Sequence, residues 1–377
     1  MKAKKIQKII DESEKIVLKV GSSILINQKT GEININWLNS FAEDLLKLLR
    51  QNKKLLVVSS GSIALGRKHL NLKENITLDE KQAAAAVGQI SLSHAWKESL
   101  NSFNINSAQI LLAPDDTETR RKHINAKATL DKLLQLNVIP VINENDTVST
   151  QEIKYGDNDR LAARVAQMVS ADLLILFSDV DGLYSSDPSK NKTTQLIQVI
   201  DSITKEVEDM AGPANNYISS GGMVTKIEAA KIATNSGCDV IISNGKIQNP
   251  ISYFSSRNAK GSWFKANKSP QNSRKQWIAG ALQVKGKIII DEGAEKAISN
   301  GSSILPAGII FTEGRYNKGD LIHIVNNKGK ILGKGLSHYN DFEVNLLKGL
   351  KSENIEKKIG YRGKDEIIHK DDLVLEQ

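Results

Sequence analysis

The chain has 377 residues, more than one compact core of ordinary size accommodates, so two domains are expected. Its composition, 40% hydrophobic and 25% charged, is that of a folded, soluble chain and excludes a disordered or membrane-embedded one. A single cysteine, Cys238, rules out an intrachain disulfide, and the net charge of +8 raises the question of where the surplus sits.

The opening "MKAKKIQKIIDESEK" is basic and lacks the apolar core of a secretory signal; no role is assigned to it. No apolar run is long enough to span a membrane, and a cytoplasmic location is expected. From residue 16 to about 262, short apolar runs alternate with amphipathic stretches. "KIVLKV" (15–20), "KLLVVS" (54–59), "INSAQILL" (105–112), "VIPVIN" (138–143), "DLLILFS" (172–178) and "DVIISN" (239–244) read as strands. They are nearly continuous in leucine and β-branched residues, as strands covered on both faces must be. "NWLNSFAEDLLKLLRQN", "DEKQAAAAVGQISLSHAWKESL", "ARVAQMVS" and "TKIEAAKIATNSG" read as helices, the last ending at a Gly237 C-cap. The pattern predicts an α/β domain over 1–264, a three-layer αβα sandwich around a mainly parallel sheet.

Beyond Phe264 the texture changes. Between Asp239 and Asp291 there is no acidic residue, against nine basic ones: Lys246, Arg257, Lys260, Lys265, Lys268, Arg274, Lys275, Lys285 and Lys287. Such a strip suits a polyanion or, as charge blocks usually do, a solvated linker, here placed at 265–284. From Gly286, "GKIIIDEGAEKAI", "GIIFTEGRYNKGDLIHIVNNKGKILGKG" and "DEIIHKDDLVL" read as short strands with glycine and asparagine turns, a small β-rich domain over 285–365.

Ligands of open parallel sheets bind beyond the carboxyl ends of the strands. Those ends here carry "KVGSS" (19–23), "SSGSIALG" (59–66), "NENDT" (143–147), "DVDGLY" (179–184) and "SSGGMVTK" (219–226). Glycines flanked by serines let backbone N–H groups approach a phosphate, although turns use the same residues. Neither the P-loop pattern nor G-x-G-x-x-G is present. The six histidines, at 69, 94, 123, 323, 338 and 369, show no metal-ligand spacing.

Two lysines stand in costly places. Lys19 interrupts the apolar strand "IVLKVG", where it must either snorkel to water or find an anion. Lys226 falls in the first turn of a helix, against the macrodipole. A polyphosphate between them would explain both. Asp157, Asn158 and Asp159 open another helix; one of them suffices as an N-cap, and three suggest a second task.

These segments, together with "AAVGQ", "KYGDNDRLAARVA" and "LLILFSDVDGLYSSDP", resemble the amino-acid kinase family, and within it the enzymes that phosphorylate the γ-carboxylate of L-glutamate. The tail is similar to the PUA module that many of them carry. The resemblance implies ATP and Mg2+ as cofactors. It places Lys19, Asp159 and Lys226 in catalysis, with Asp159 orienting both lysines. Ser60, Asp146 and Asn158 would hold glutamate, Asp146 taking its α-amino group, although "NENDT" is also read as a simple hydrogen-bonded turn. Lys19, Ser178, Asp179, Ser220, Gly221, Gly222, Met223, Val224, Thr225 and Lys226 would line the nucleotide; the metal ligands stay unassigned. The product would be the first intermediate of proline synthesis, with proline as inhibitor. A homo-oligomer (dimer or tetramer) and a glutamyl phosphate reductase partner are further implications. Ser178 stands where threonine is usual, and Ser62 and Leu65 where alanine is common, without threat to the chemistry. N-acetylglutamate, aspartate, carbamate or a nucleoside monophosphate are rival acceptors within the fold. Outside it, the basic strip and tail could serve RNA binding, although the tail shows no aromatic stacking platform.

Overall fold

The computed structural model describes residues 3–73, 76–148, 158–186, 194–212, 222–256, 258–270 and 283–375. The chain divides into two compact units, Met1–Pro270 and Gln271–Gln377.

The first unit is built on an eight-stranded sheet. Its strands are β1 Lys15–Val20, β2 Lys54–Ser59, β3 Ser107–Leu112, β4 Ile139–Glu144, β5 Leu173–Ser178, β6 Val199–Ile200, β7 Asp239–Asn244 and β8 Ser262–Phe264. They lie in the order β3-β4-β2-β1-β5-β7-β8-β6. The first six in that order run parallel, and β8 and β6 run the other way. The chain leaves β1 for β2 on one side and returns to β5 on the other, so the topological switch lies between β1 and β5.

Side chains alternate between the two faces of the sheet. Ile16, Leu18 and Val20 face a core with Trp37, Phe41 and Leu45 of the helix Ile35–Arg50 and Leu92 and Trp96 of the helix Leu78–Asn101. Val17 faces the opposite core, with Leu161 and Val165 of the helix Asn158–Val169 and Ile227 and Ala230 of the helix Met223–Asn235. Three layers follow, helices on both faces of a mainly parallel sheet, as the apolar runs predict. Lys19 shares the face of Val17, flanked by Val58 and Leu176 in register, and is 7% exposed.

The basic N-terminus is a helix, Ala3–Glu12, that seats Ile6, Ile9 and Ile10 in the first core. Buried Lys53 clamps its end, its Nζ donating to the Asp11 and Ser13 carbonyls at 2.9 and 2.7 Å. Residues 265–270, assigned to a linker from sequence, remain tied to this unit: the Lys265 and Ala266 amides donate to Ile200 O and Asp239 Oδ1. Residues 271–282 of that segment lie outside the described residues.

The second unit is a five-stranded sheet in the order β10-β9-β11-β12-β13. These are β9 Gly286–Ile290, β10 Ile309–Gly314, β11 Leu321–Asn326, β12 Ile331–Leu336 and β13 Leu373–Leu375. Ile288, Ile290, Ile322 and Ile324 pack its core with Tyr316 and Tyr339. Part of the segment read as strand, Glu292–Ser299, is a helix, because Asp291 caps it by accepting from the Ala294 amide at 2.7 Å. The sheet also takes in residues beyond 365: Gly333 to Gly335 pair with Leu373 to Leu375.

Candidate active site

The carboxyl ends of β1, β2, β4 and β5 converge at the switch point, and the first turns of two helices close over them. Asp159 opens the helix Asn158–Val169 and is fully buried. Its Oδ1 lies 2.6 Å from Lys19 Nζ and its Oδ2 3.2 Å from Lys226 Nζ. Thr225 Oγ1 is 2.9 Å from the same Oδ2 and also 2.9 Å from the Gly222 carbonyl, which fixes the helix start above the carboxylate. Lys226 is 4% exposed. Burial by itself would raise the Asp159 pKa; the two ammonium groups overcome it, and the carboxyl is held below its ordinary value. Lysines 207 positions apart are thus joined through one aspartate.

A chain of uncharged polar groups adjoins this cluster. Asn158 Nδ2 donates to Ser60 Oγ at 2.8 Å and to Asn143 Oδ1 at 3.1 Å. Asn143 Nδ2 donates to Gln89 Oε1 at 2.8 Å and to Ser62 Oγ at 3.2 Å. Ser62 Oγ in turn donates to Asp146 Oδ2 at 3.2 Å. Burial pushes the Asp146 pKa up, against the opposing effect of the Ser62 hydroxyl. Ser60, Asp146 and Asn158 are therefore brought into one network. Ser62, which sequence reasoning dismissed as a neutral departure, bridges two of its members, a contact alanine could not make. Asn143 and Gln89 were not singled out at all; their only signal was membership of "NENDT" and "AAVGQ".

Two glycines make the approach possible. A Cβ on Gly66 would lie 1.7 Å from the Ala84 carbonyl oxygen, and one on Gly88 1.8 Å from that of Ser62. The helices Ser62–His69 and Leu78–Asn101 therefore meet backbone to backbone, which carries Gln89 to Asn143. Gly88→Ala is expected to destabilise the chain by about 1–3 kcal/mol, the usual cost of overpacking, read as a lower midpoint in urea unfolding.

At the end of β5, Ser178 Oγ donates to Asp179 Oδ1 at 3.1 Å, and Asp179 is exposed. The following loop is pinned through Asp181, which receives Lys260 Nζ at 2.9 Å and Asn244 Nδ2 at 3.2 Å. Gly222, Met223 and Val224 form the half-buried rim of the Met223–Asn235 helix. Asp157, Ser220 and Gly221 lie outside the described residues. Among the described residues no three His, Cys, Asp or Glu side chains gather as a metal-binding group. Nor is any helix of the described residues long and apolar enough to cross a membrane.

Comparison with known proteins bears on what these groups act upon. The amino acid kinase family model matches residues 14–244, and that of the PUA domain matches residues 286–359. The chain is 46% identical to the glutamate 5-kinase of Paramagnetospirillum magneticum over 364 residues, covering 97% of this chain and 98% of that one. It is 47% identical to the glutamate 5-kinase of Bradyrhizobium diazoefficiens over 367 residues (97% and 98% covered). Against the glutamate 5-kinase of Agrobacterium fabrum it is 48% identical over 370 residues (98% and 95% covered).

Proposed function

The chain is a kinase belonging to the amino acid kinase family, and from that premise we propose that it moves the γ-phosphoryl group of ATP to the side-chain carboxylate of L-glutamate. The observation that carries the reading is the Lys19–Asp159–Lys226 cluster with a hydrogen-bonded network of amide, hydroxyl and carboxylate groups directly beside it. The near-full-length likeness to glutamate 5-kinases supports the choice of acceptor.

The chemistry asks little of the protein in protons. A glutamate side chain has an ordinary pKa of ~4.3 and reaches the site ionised, so no general base is required. A γ-carboxylate oxygen forms a bond to the γ-phosphorus as the bond to the bridging oxygen of ADP breaks. Charge then spreads over the transferring group and the leaving oxygen, and two ammonium groups held on one aspartate are suited to meet it. In this reading Asp159 keeps both amines charged and aimed, and the start of the Met223–Asn235 helix flanks the phosphates together with Ser178 and Asp179. Bound magnesium would supply positive charge that lessens the repulsion among the phosphates. Ser60, Asn158 and Asp146 receive the α-amino acid end, Asp146 as the anionic partner of its ammonium group.

The same reading makes the reaction the entrance to proline synthesis in the cytoplasm, with proline competing for the glutamate pocket. The chain would act as a homo-oligomer supplying a reductase, with catalysis carried by residues 1–264. The test is acyl-phosphate trapping with hydroxylamine. Hydroxamate should form with glutamate and ATP, and a coupled assay for ADP release should show no turnover when N-acetylglutamate, aspartate, carbamate or a nucleoside monophosphate replaces glutamate. Turnover with one of those and none with glutamate would overturn the assignment. Saturating proline is to be included; activity untouched by it would remove the inhibitor from the proposal.

The raised Asp146 pKa gives a pH dependence. Its carboxyl must be ionised to hold an ammonium group, and burial makes it protonate at higher pH than an exposed aspartate. The KM for glutamate should therefore climb as pH falls through that raised value, while the KM for ATP stays level. Initial rates followed from neutral pH downward, both substrates varied, would show it. Parallel changes in the two constants would count against Asp146 in this role.

A further inference from the structure

The polar network beside the lysines has a readable direction, because one of its hydrogen bonds has an unambiguous donor. The backbone N–H of Glu144 can only donate, and it meets Asn143 Oδ1 at 2.9 Å. That settles the Asn143 carboxamide: Oδ1 accepts, and Nδ2 faces Gln89 Oε1 and Ser62 Oγ. The Asn143 oxygen has room for one more donor and takes Asn158 Nδ2. The Asn158 oxygen is thereby turned the other way, and among the described residues it is buried without a hydrogen-bond partner. Ser62, having accepted from Asn143, spends its hydrogen on Asp146. Ser60, having accepted from Asn158, has its own hydrogen left over from this network. The network therefore offers acceptors at Asn158 and Asp146 and a donor at Ser60, the complement of an ammonium group and a carboxylate on one carbon.

All of these directions pass through Asn143, which is 2% exposed and has no access to bulk water to replace a lost partner. Its amide nitrogen is held chiefly by Gln89, whose contact at 2.8 Å is shorter than the 3.2 Å contact of Ser62. We propose that Gln89, on the helix Leu78–Asn101, is a positioning residue for amino-acid recognition. Its side-chain carbonyl fixes the Asn143 carboxamide in the orientation that leaves the Asn158 acceptor and the Ser60 donor facing the substrate. This rests on the reading that the pocket binds the phosphoryl acceptor. Gln89 itself acts at one remove, through Asn143.

The test uses the full-length chain, with glutamate and MgATP varied separately in the hydroxamate assay. Gln89→Met keeps the length of the side chain and removes the acceptor. Gln89→Glu keeps acceptors at the same reach. Gln89→Met is expected to raise the KM for glutamate roughly tenfold, the scale of one buried donor losing its partner, with the KM for ATP within about twofold of wild type. Gln89→Glu should restore the glutamate KM to within about threefold of wild type, a rescue that a packing role would not give. Should Gln89→Met not fold by circular dichroism, Gln89→Ser, too short to reach Asn143, takes its place with the same expectation. A Met variant that matches wild type, a Glu variant as impaired as Met, or equal rises in both KM values would overturn the proposal. If the wild type itself yields no hydroxamate from glutamate, the reading of the pocket has failed and this inference fails with it. A working wild type with an unaffected Met variant sinks the Gln89 role alone.

Discussion

Asp159→Asn is expected to cut kcat by roughly 10²–10³-fold and to cost about 3–5 kcal/mol of stability, the scales for a lost electrostatic stabiliser and a broken buried ion pair. The carboxylate is fully buried and lies against both ammonium groups, at 2.6 and 3.2 Å. Asparagine keeps the shape and one acceptor but removes the charge that keeps Lys19 and Lys226 together. The double variant Asp159→Asn with Lys19→Met separates the two effects. Removing one charge of each sign should recover part of the stability, that of the Lys19 ammonium, because Lys226 still lacks the aspartate charge, and none of the activity. Urea unfolding and the hydroxamate assay on the three proteins read these quantities. A single Asp159→Asn variant with activity within threefold of wild type would remove Asp159 from the proposed chemistry.

The same carboxyl gives an acid dependence of stability. Its folded pKa is depressed, so its stabilisation is fully present above the ordinary aspartate value near 3.8 and is lost as pH falls through the lower, folded value. The stability gap between wild type and Asp159→Asn should accordingly be constant at neutral pH and shrink only below about pH 4.

The parts of the fold that were plain in the sequence are those with a local cause. β1, β2 and β7 occupy the residues their apolar runs mark, because a strand covered on both faces must be apolar throughout. The reversed edge strands β8 and β6 went unseen; three and two residues are too few to carry a period. The N-terminal helix was missed for another reason. Ile6, Ile9 and Ile10 have helical spacing, but lysines dominate the segment, and its clamp, Lys53, is more than forty residues away in the chain. The helix Asn158–Val169 begins inside the Asp157–Asp159 cluster that the surplus of capping residues marks as its opening, and its first two residues are polar groups of the candidate site.

The site divides along the same line. Lys19, Lys226 and the Asp157–Asp159 cluster were visible because each breaks a local rule, a charge in an apolar strand, a cation at a helix start, and more caps than a helix needs. Asn143, Ser62 and Gln89 break none. An asparagine at a strand end, a serine opening a helix and a glutamine on a half-exposed face are ordinary alone. Their connection exists only because Gly66 and Gly88 let two helices touch, and no one-dimensional pattern reports that contact.

Lys226→Ala is expected to lower kcat by roughly 10²–10³-fold while leaving the KM for glutamate within about twofold. The ammonium group sits 3.2 Å from Asp159, at the start of the helix whose N-terminal turn faces the proposed phosphate site. Charge that develops as the phosphoryl group leaves ADP is stabilised there more than charge already present in the ground state, so the loss appears in kcat. Lys226→Arg should not rescue it. A guanidinium is larger and flat, and the position is 4% exposed, without room for a fork of five donors. The proposed amino-acid site is built on Asn158, Ser60 and Asn143, none of which either change alters. A Lys226→Ala variant whose loss lay wholly in the KM for glutamate would place the lysine in substrate binding and detach it from phosphoryl transfer.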